Sequence, residues 1–288
     1  MPSVREVRLV EEPVPVREGA GVRLRRAFGP SQYELFDPYL MLDDFRCAEP
    51  SQYEAGFPWH PHRGIETITY IIEGEVEHGD SIGNSGAIGA GDVQWMSAGS
   101  GIIHQEMPHG TAAGRMGGFQ LWANLPARRK MSDPSYRSIK ASEIPTVSAE
   151  GATVRVIAGT EGEQRGPAYD EDLDPGYLDV TLQPGASWAH STPAQHTAFA
   201  YLFEGSVSFG GEAEEIEAKQ GTLVLFGHGD AFSATAGARG ARFLLLTGKP
   251  LHEAVAWRGP VVMNTREELE EAFRDLDRGT FVKHEASL

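Results

Sequence analysis

The chain has 288 residues, 40% hydrophobic and 23% charged, with 34 glycines and 18 prolines, which suits one large or two ordinary globular domains built from many short strands and turns rather than a helical bundle. Its net charge of −16, from 41 acidic against 25 basic residues, argues against a basic face for nucleic acid and against attraction to anionic lipid. Cys47 is the single cysteine, so an intramolecular disulfide is excluded and a reducing, cytoplasmic setting is expected.

In chain order, the N-terminal "MPSVREVRLVEEPVPVREG" mixes charged and aliphatic residues and lacks the apolar run of a signal peptide, and no stretch of the chain reaches the eighteen or so apolar residues of a membrane span. Period-two alternation predicts strands at "EVRLV" (6–10), "ETITYIIEGEVEH" (66–78), "GGFQLWANL" (117–125), "ATVRVIAG" (152–159), "YLDVTL" (177–182), "TAFAYLFEGSVSF" (197–209), "GTLVLF" (221–226) and "ARFLLLTG" (241–248). Arg23, Arg25 and Arg26 read as a strand with one solvated face, a candidate partner patch. Cys47 reads as a small buried hydrophobe, and His78 and His109 as surface residues. Trp95, Met96 and Trp122 are expected to pack a core, with one or two of them open to lining a pocket. The stretch 126–150 lacks periodicity and is rich in Pro, Ser, Lys and Arg, so it reads as a linker. One amphipathic helix is predicted in "NTREELEEAFRDLDRG", where Thr265 and Glu268 have capping-box spacing, Leu269, Phe273 and Leu276 share a face, and Gly279 ends it. The expected class is all-β with a C-terminal helix, divided into domains 1–135 and 136–288.

An internal repeat supports that division. "ITYIIEGEVEH" (68–78) aligns with "FAYLFEGSVSF" (199–209), matching Tyr70, Glu73 and Gly74 to Tyr201, Glu204 and Gly205, and "GDVQWM" (91–96) answers "GTLVLF" (221–226). In this register His60 corresponds to Ser191 and His62 to Pro193, while His104 and Glu106 fall near Ala234 and Ala236. The first copy therefore carries a site that the second lacks; His190 and His196 sit off its register and read as structural.

On a strand, residues i and i+2 share a face, so His60 and His62 point together, as do His104 and Glu106. Glu66 joins the first pair if the strand continues through Arg63-Gly64. Three imidazoles with one carboxylate suit a first-row transition metal such as Fe, Cu, Ni, Mn or Zn, with positions left open for exchange.

The motifs "HPHRGIETITYIIEG", "FDPYLMLDDF", "GDVQWMSAGSGIIHQEMP", "FQLWANLP" and "GPVVMNTREELEEAF" resemble those of the pirin family within the cupin superfamily, from about residue 20 to the C-terminal helix. The resemblance implies a bicupin, two jelly-roll barrels packed face to face, with a metal, usually Fe(II), in the N-terminal barrel. Carried over position by position, its ligands are His60, His62, His104 and Glu106, with Glu66 a near neighbour. It further implies one of two roles. The first is a quercetin 2,3-dioxygenase-type enzyme that opens a flavonol ring with O2 and releases CO. The second is a non-catalytic, redox-responsive iron protein that binds a protein partner. For the enzyme, Glu106 or failing that Glu66 is the candidate base, and Phe57, Trp59 or Met107 would line the slot for a planar substrate. A monomer is expected.

Overall fold

The structure, a computed structural model, describes residues 3–211 and 214–284. It divides the chain into two compact units, one of Val14–Tyr33, Tyr39–Ala141 and His252–Leu288, the other of Met1–Pro13, Glu34–Pro38 and Ser142–Leu251. This partition differs from a single cut between residues 135 and 136: each unit takes back a terminal segment of the chain, and the C-terminal helix belongs with the histidine-bearing unit. Among the described residues no helix is long and apolar enough to cross a membrane.

The histidine-bearing unit is built mainly of two antiparallel sheets, with a two-stranded pair of Ala256–Arg258 and Val261–Met263 beside them. The larger runs, in spatial order, Ser135–Ile139, Val93–Ser97, Ile65–Glu73, Gly117–Asn124, Tyr39–Asp44, Val22–Phe28 and Val14–Glu18. The smaller runs Phe57–His62, Ile102–His109, Glu75–Asp80 and Ser85–Gly89. The continuity through Arg63-Gly64 that would put Glu66 on the face of His60 and His62 is broken at Gly64, whose φ of 77° is open to glycine, and where a Cβ would stand 2.0 Å from the Val262 carbonyl oxygen. His62 and Glu66 consequently lie on strands of different sheets.

The C-terminal segment closes onto this break. Arg63 is 1% exposed; its Nε donates to the Ser100 carbonyl (2.6 Å), Nη1 to Asp275 (2.9 Å) and Nη2 to the Phe281 carbonyl (2.9 Å). The guanidinium also lies 4.3 Å from the Phe281 ring centroid. The Val262 N–H donates to the Arg63 carbonyl, and Lys130 Nζ reaches the carbonyls of Gly64 and Val262 at 2.9 Å each, with Asn124 as its third acceptor. Helix Arg266–Arg278 forms as its caps require: Thr265 and Glu268 make the reciprocal capping box, and Gly279 turns left-handed at φ 70°. It packs Leu269, Ala272, Phe273 and Leu276 against Val261, Met263 and Phe281.

The other unit is organised about two long strands, Thr197–Gly211 and Ala231–Gly248, in one sheet with Val7–Glu11, Thr222–Phe226, Gly176–Leu182, Ala152–Ala158 and Thr146–Ala149. The repeat is real at the backbone: Gly74 and Gly205 take the same left-handed turn (φ 79° and 75°), and the paired strands Ile65–Glu73 with Val93–Ser97 answer Thr197–Gly211 with Thr222–Phe226. Its interior is aromatic and apolar. Phe209, Phe226, Phe232, Phe243 and Trp188 meet edge to face at centroid distances of 4.8–6.1 Å, and Ala234 and Ala236 are buried among them.

The stretch 126–150 is more ordered than its composition suggests. Ser135–Ile139 and Thr146–Ala149 are short strands, each pairing with one neighbour, and such edge pieces need only a weak alternation to form. Cys47 is partly buried and packs beside the Val22–Tyr53–Ile71 cluster, as a small hydrophobe would.

Asp275 accepts from Arg63, Lys283 and Thr280 Oγ1. Burial opposes its charge, but these donors win and hold its carboxyl down at about 2. The folded carboxyl thus binds its proton less readily than the unfolded one, near 3.9, so its contribution is complete above pH 4 and disappears as the pH falls towards 2. We expect Asp275→Ala to cost about 3 kcal/mol in urea unfolding at pH 7, because it strands a buried guanidinium, and the difference from wild type to narrow below pH 4.

Candidate metal centre

The pairing of Phe57–His62 with Ile102–His109 sets His60 directly opposite His104 and His62 opposite Ile102. With His62 on the same face two residues along, three imidazoles converge. Their ring centroids stand 4.3 Å (His60–His104), 4.9 Å (His60–His62) and 4.9 Å (His62–His104) apart, and one nitrogen from each lies within 4.8 Å of the others.

Second partners orient two of these rings. His60 Nδ1 lies 2.9 Å from the Pro58 carbonyl oxygen, and His62 Nδ1 3.2 Å from that of Pro260, in the returning C-terminal segment. A carbonyl only accepts, so Nδ1 carries the proton in both rings and Nε2 keeps its lone pair. Both nitrogens of His104 are buried without a hydrogen-bond partner among the described residues. Burial, reinforced by the neighbouring imidazoles, pulls His62 down to about 3 and His104 well below the ordinary histidine value. Three converging imidazoles, of which His62 and His104 are kept neutral, form a donor set that fits a transition-metal ion.

Glu106 is not part of this triplet. The register irregularity between the two strands lies on the facing strand, where the three steps from Phe57 to His60 oppose the two from His104 to Glu106, so His104 and Glu106 keep one face. The buried Glu106 carboxylate is held by Thr69 Oγ1 (3.2 Å) and Gln94 Nε2 (3.1 Å), both on its Oε1, and it lines the cavity beside the histidines. Glu66 stands elsewhere: its Oε2 accepts from Trp95 Nε1 (2.9 Å) and Arg129 lies 3.7 Å from its Oε1. It is three residues from Thr69 on one strand and so faces the opposite side from Glu106. The break at Gly64 removes the continuity that would have aligned it with His60 and His62.

Above the histidines lies a cavity of about 880 Å³. Of the residues expected to line it, Phe57 does, whereas Trp59 is 55% exposed and neither it nor Met107 reaches the lining. The alternation that turns His60, His104 and Glu106 inward turns Trp59 and Met107 outward. The planar walls come instead from Trp122, whose ring meets that of His62 edge-on at 4.9 Å, and from Trp257, 6.1 Å from Trp122, with Tyr33 beyond it at 6.1 Å. Trp122 thus serves the cavity as well as the core.

His78 is a second correction. It is buried, its Nε2 3.0 Å from Asp80, its ring stacked on Tyr136 at 4.6 Å and 5.5 Å from His104. Val76, His78 and Asp80 alternate into the interior of their strand, a pattern masked by the charged residues between them. His109 is exposed near Glu77, as expected. In the other unit His190 pairs with Glu161 at 2.6 Å and stacks on Trp188, a structural arrangement.

The family profile described as Pirin matches residues 21–123, and that described as Pirin C-terminal cupin domain matches residues 177–282. A pirin-like protein of Caulobacter vibrioides is 45% identical over 280 residues, covering 96% of this chain and 99% of that protein. The pirin of Homo sapiens is 38% identical over 260 residues, covering 90% of this chain and 87% of its own length. The crystal structure of quercetin 2,3-dioxygenase from Acinetobacter baumannii superposes with a TM-score of 0.88 at 32% identity, covering 97% of this chain and 99% of that one.

The triplet predicts one tight site for a divalent transition ion. Titration followed by metal analysis should find one equivalent per chain in the wild type, and His104→Ala should weaken binding by more than the 10- to 100-fold or so that loss of an outer partner costs.

Proposed function

This chain is a member of the pirin family, and on that footing we propose that it is a metal-dependent dioxygenase that opens the heterocycle of a flavonol with O2 and releases CO. The observation that carries the reading is the three-imidazole cluster set in a cavity of about 880 Å³ with indole walls. The likeness to a solved quercetin 2,3-dioxygenase at 32% identity supports it.

An iron(II) ion held by His60, His62 and His104 would supply Lewis acidity toward the flavonol 3-hydroxyl and one-electron chemistry toward O2. The rest falls to the chain. Trp122 and Trp257 offer flat apolar surfaces to a planar ring system and keep water from it. Glu106, its Oε1 fixed by Thr69 and Gln94, is the carboxylate placed to take the 3-hydroxyl proton at Oε2. Glu66, hydrogen-bonded to Trp95, is not available for that step. Thr69 and Gln94 hold the carboxylate still, so its reorientation does not have to accompany each turnover. The cavity above the histidines favours catalysis over a purely surface-borne adaptor role, which would need no such space.

With quercetin, the iron-loaded protein should consume O2 and evolve CO in equal amounts, and His62→Ala should lose iron and activity together. Glu106→Gln should keep its iron while kcat falls about 100-fold. An E106Q protein that lost its iron would make Glu106 a ligand rather than the base, and iron-loaded wild type inert towards every flavonol would refute the enzyme.

A further inference from the structure

One row of side chains crosses the larger sheet of the histidine-bearing unit at a single level. Arg26 is the cross-strand partner of Asp43, Asp43 of Gln120, Gln120 of Thr69, and Thr69 of Gln94. Directly opposed residues of antiparallel strands share a face, so five consecutive strands present polar groups along one line. The next row on that face, Met41, Trp122, Thr67 and Met96, is largely apolar. Arg26, Asp43, Gln120 and Thr69 line the same cavity as the histidines, and Thr69 and Gln94 end the row on Glu106. From Arg26 to Thr69 is three strand spacings, roughly 14 Å.

Such a row is costly to the scaffold. Burying charged and amide groups is unfavourable unless each is paired, and apolar residues of similar volume are often as stable or more so. Asp43 is 3% exposed, and burial pushes its carboxyl up to about 6 even with Arg26 donating Nε and Nη2 to it at 2.9 and 2.8 Å. The charges also have a definite balance. Arg26 Nη2 donates to Glu18 as well, at 3.0 Å, so the one Arg or Lys among the described residues of the cavity wall is shared by two carboxylates, and Glu106 adds a third. No positive charge is left over at that end for an anion, whereas the oxygens of Asp43, Glu18 and Gln120 can accept from hydroxyls.

We propose that Arg26, Asp43 and Gln120 form a specificity strip that reads the hydroxyl groups of a neutral, planar, polyhydroxylated aromatic compound and turns away aromatic carboxylates. The proposal rests on the flavonol reading and adds to it which part of the molecule is recognised and by what. The substrate's 3-hydroxyl end faces the histidines and its outlying phenolic hydroxyls lie along the strip, with Trp122 and the apolar walls taking the ring faces.

Trp122 and Trp257 provide a reporter, since a ligand between them quenches their fluorescence. The iron-loaded protein and the same protein stripped by chelator are titrated with quercetin, with the parent flavonol bearing only the 3-hydroxyl, and with 2-naphthoate. Wild type should prefer quercetin to the parent flavonol by about tenfold or more in both forms, the worth of one or two net hydrogen bonds, and should bind 2-naphthoate least. In Arg26→Met/Asp43→Leu, which removes both charges at similar volume, and independently in the near-isosteric Gln120→Met, the preference should shrink to about threefold or less with iron content unchanged. An undiminished preference in both variants overturns the strip and leaves the flavonol reading standing. Tighter binding of 2-naphthoate than of quercetin by wild type overturns the charge selection. Failure of wild type to bind either flavonol in either form refutes the flavonol reading itself, and the strip with it.

Discussion

Three imidazoles can be packed against one another in a barrel interior only if they stay neutral and their lone pairs point one way. Everything around the centre answers that constraint. Burial and mutual proximity keep His62 and His104 uncharged. Backbone carbonyls of Pro58 and Pro260 take the Nδ1 protons of His60 and His62. The Pro260 carbonyl belongs to a segment that returns to this unit only after the whole of the other unit has been made, and it is fixed there by Arg63, Lys130 and the C-terminal helix. Orienting one histidine therefore accounts for a long-range chain path and for a buried guanidinium next to the site.

The two copies of the β unit separate scaffold from site. Both keep the Glu-Gly turn with its left-handed glycine and both keep the strand pairing that flanks it. They diverge in the interior. Where the strand pairing of the first copy places His104 and Glu106, that of the second places Phe232 and Ala234, packed with Phe226 and Trp188, which fill the space with apolar contacts worth roughly 1.5–3 kcal/mol for each fully buried large side chain. The fold gains stability from an apolar interior, so the polar interior of the first copy is maintained for its chemistry. The Arg26–Asp43–Gln120–Thr69–Gln94 row belongs to the same exception.

Strand period was the most legible feature of the chain. It located the central strands of both units, set His60 with His62, and set His104 with Glu106 on one face, because the alternation of a pleated strand is a local property. Helix 266–278 was equally legible, since its capping box and C-terminal glycine act within one turn. The errors share one cause. Glu66 joins the histidines only if the strand runs through Arg63-Gly64, and the break at Gly64 decides that it does not; Trp59 and Met107 were placed in the cavity by their chemistry although their parity turns them out. His78 looked solvated because charged residues flank it, yet its strand buries that face. The stretch 126–150 hid two edge strands behind a polar composition.

The sequence by itself determined the class of the fold, the internal repeat, the asymmetry between its copies and the three histidines, for each of these is carried by spacing along the chain or by comparison of one segment with another. Only the tertiary structure decided that Pro260 orients His62, that Glu106 is held by Thr69 and Gln94 apart from the histidine triplet, that Trp122 and Trp257 wall the cavity, and that a polar row crosses five strands. Each of these is a contact between segments distant in the chain. Such contacts depend on strand register and on where the chain breaks and returns, and a shift of one residue at Gly64 or at the irregularity facing His104–Glu106 reverses which side chains face the site.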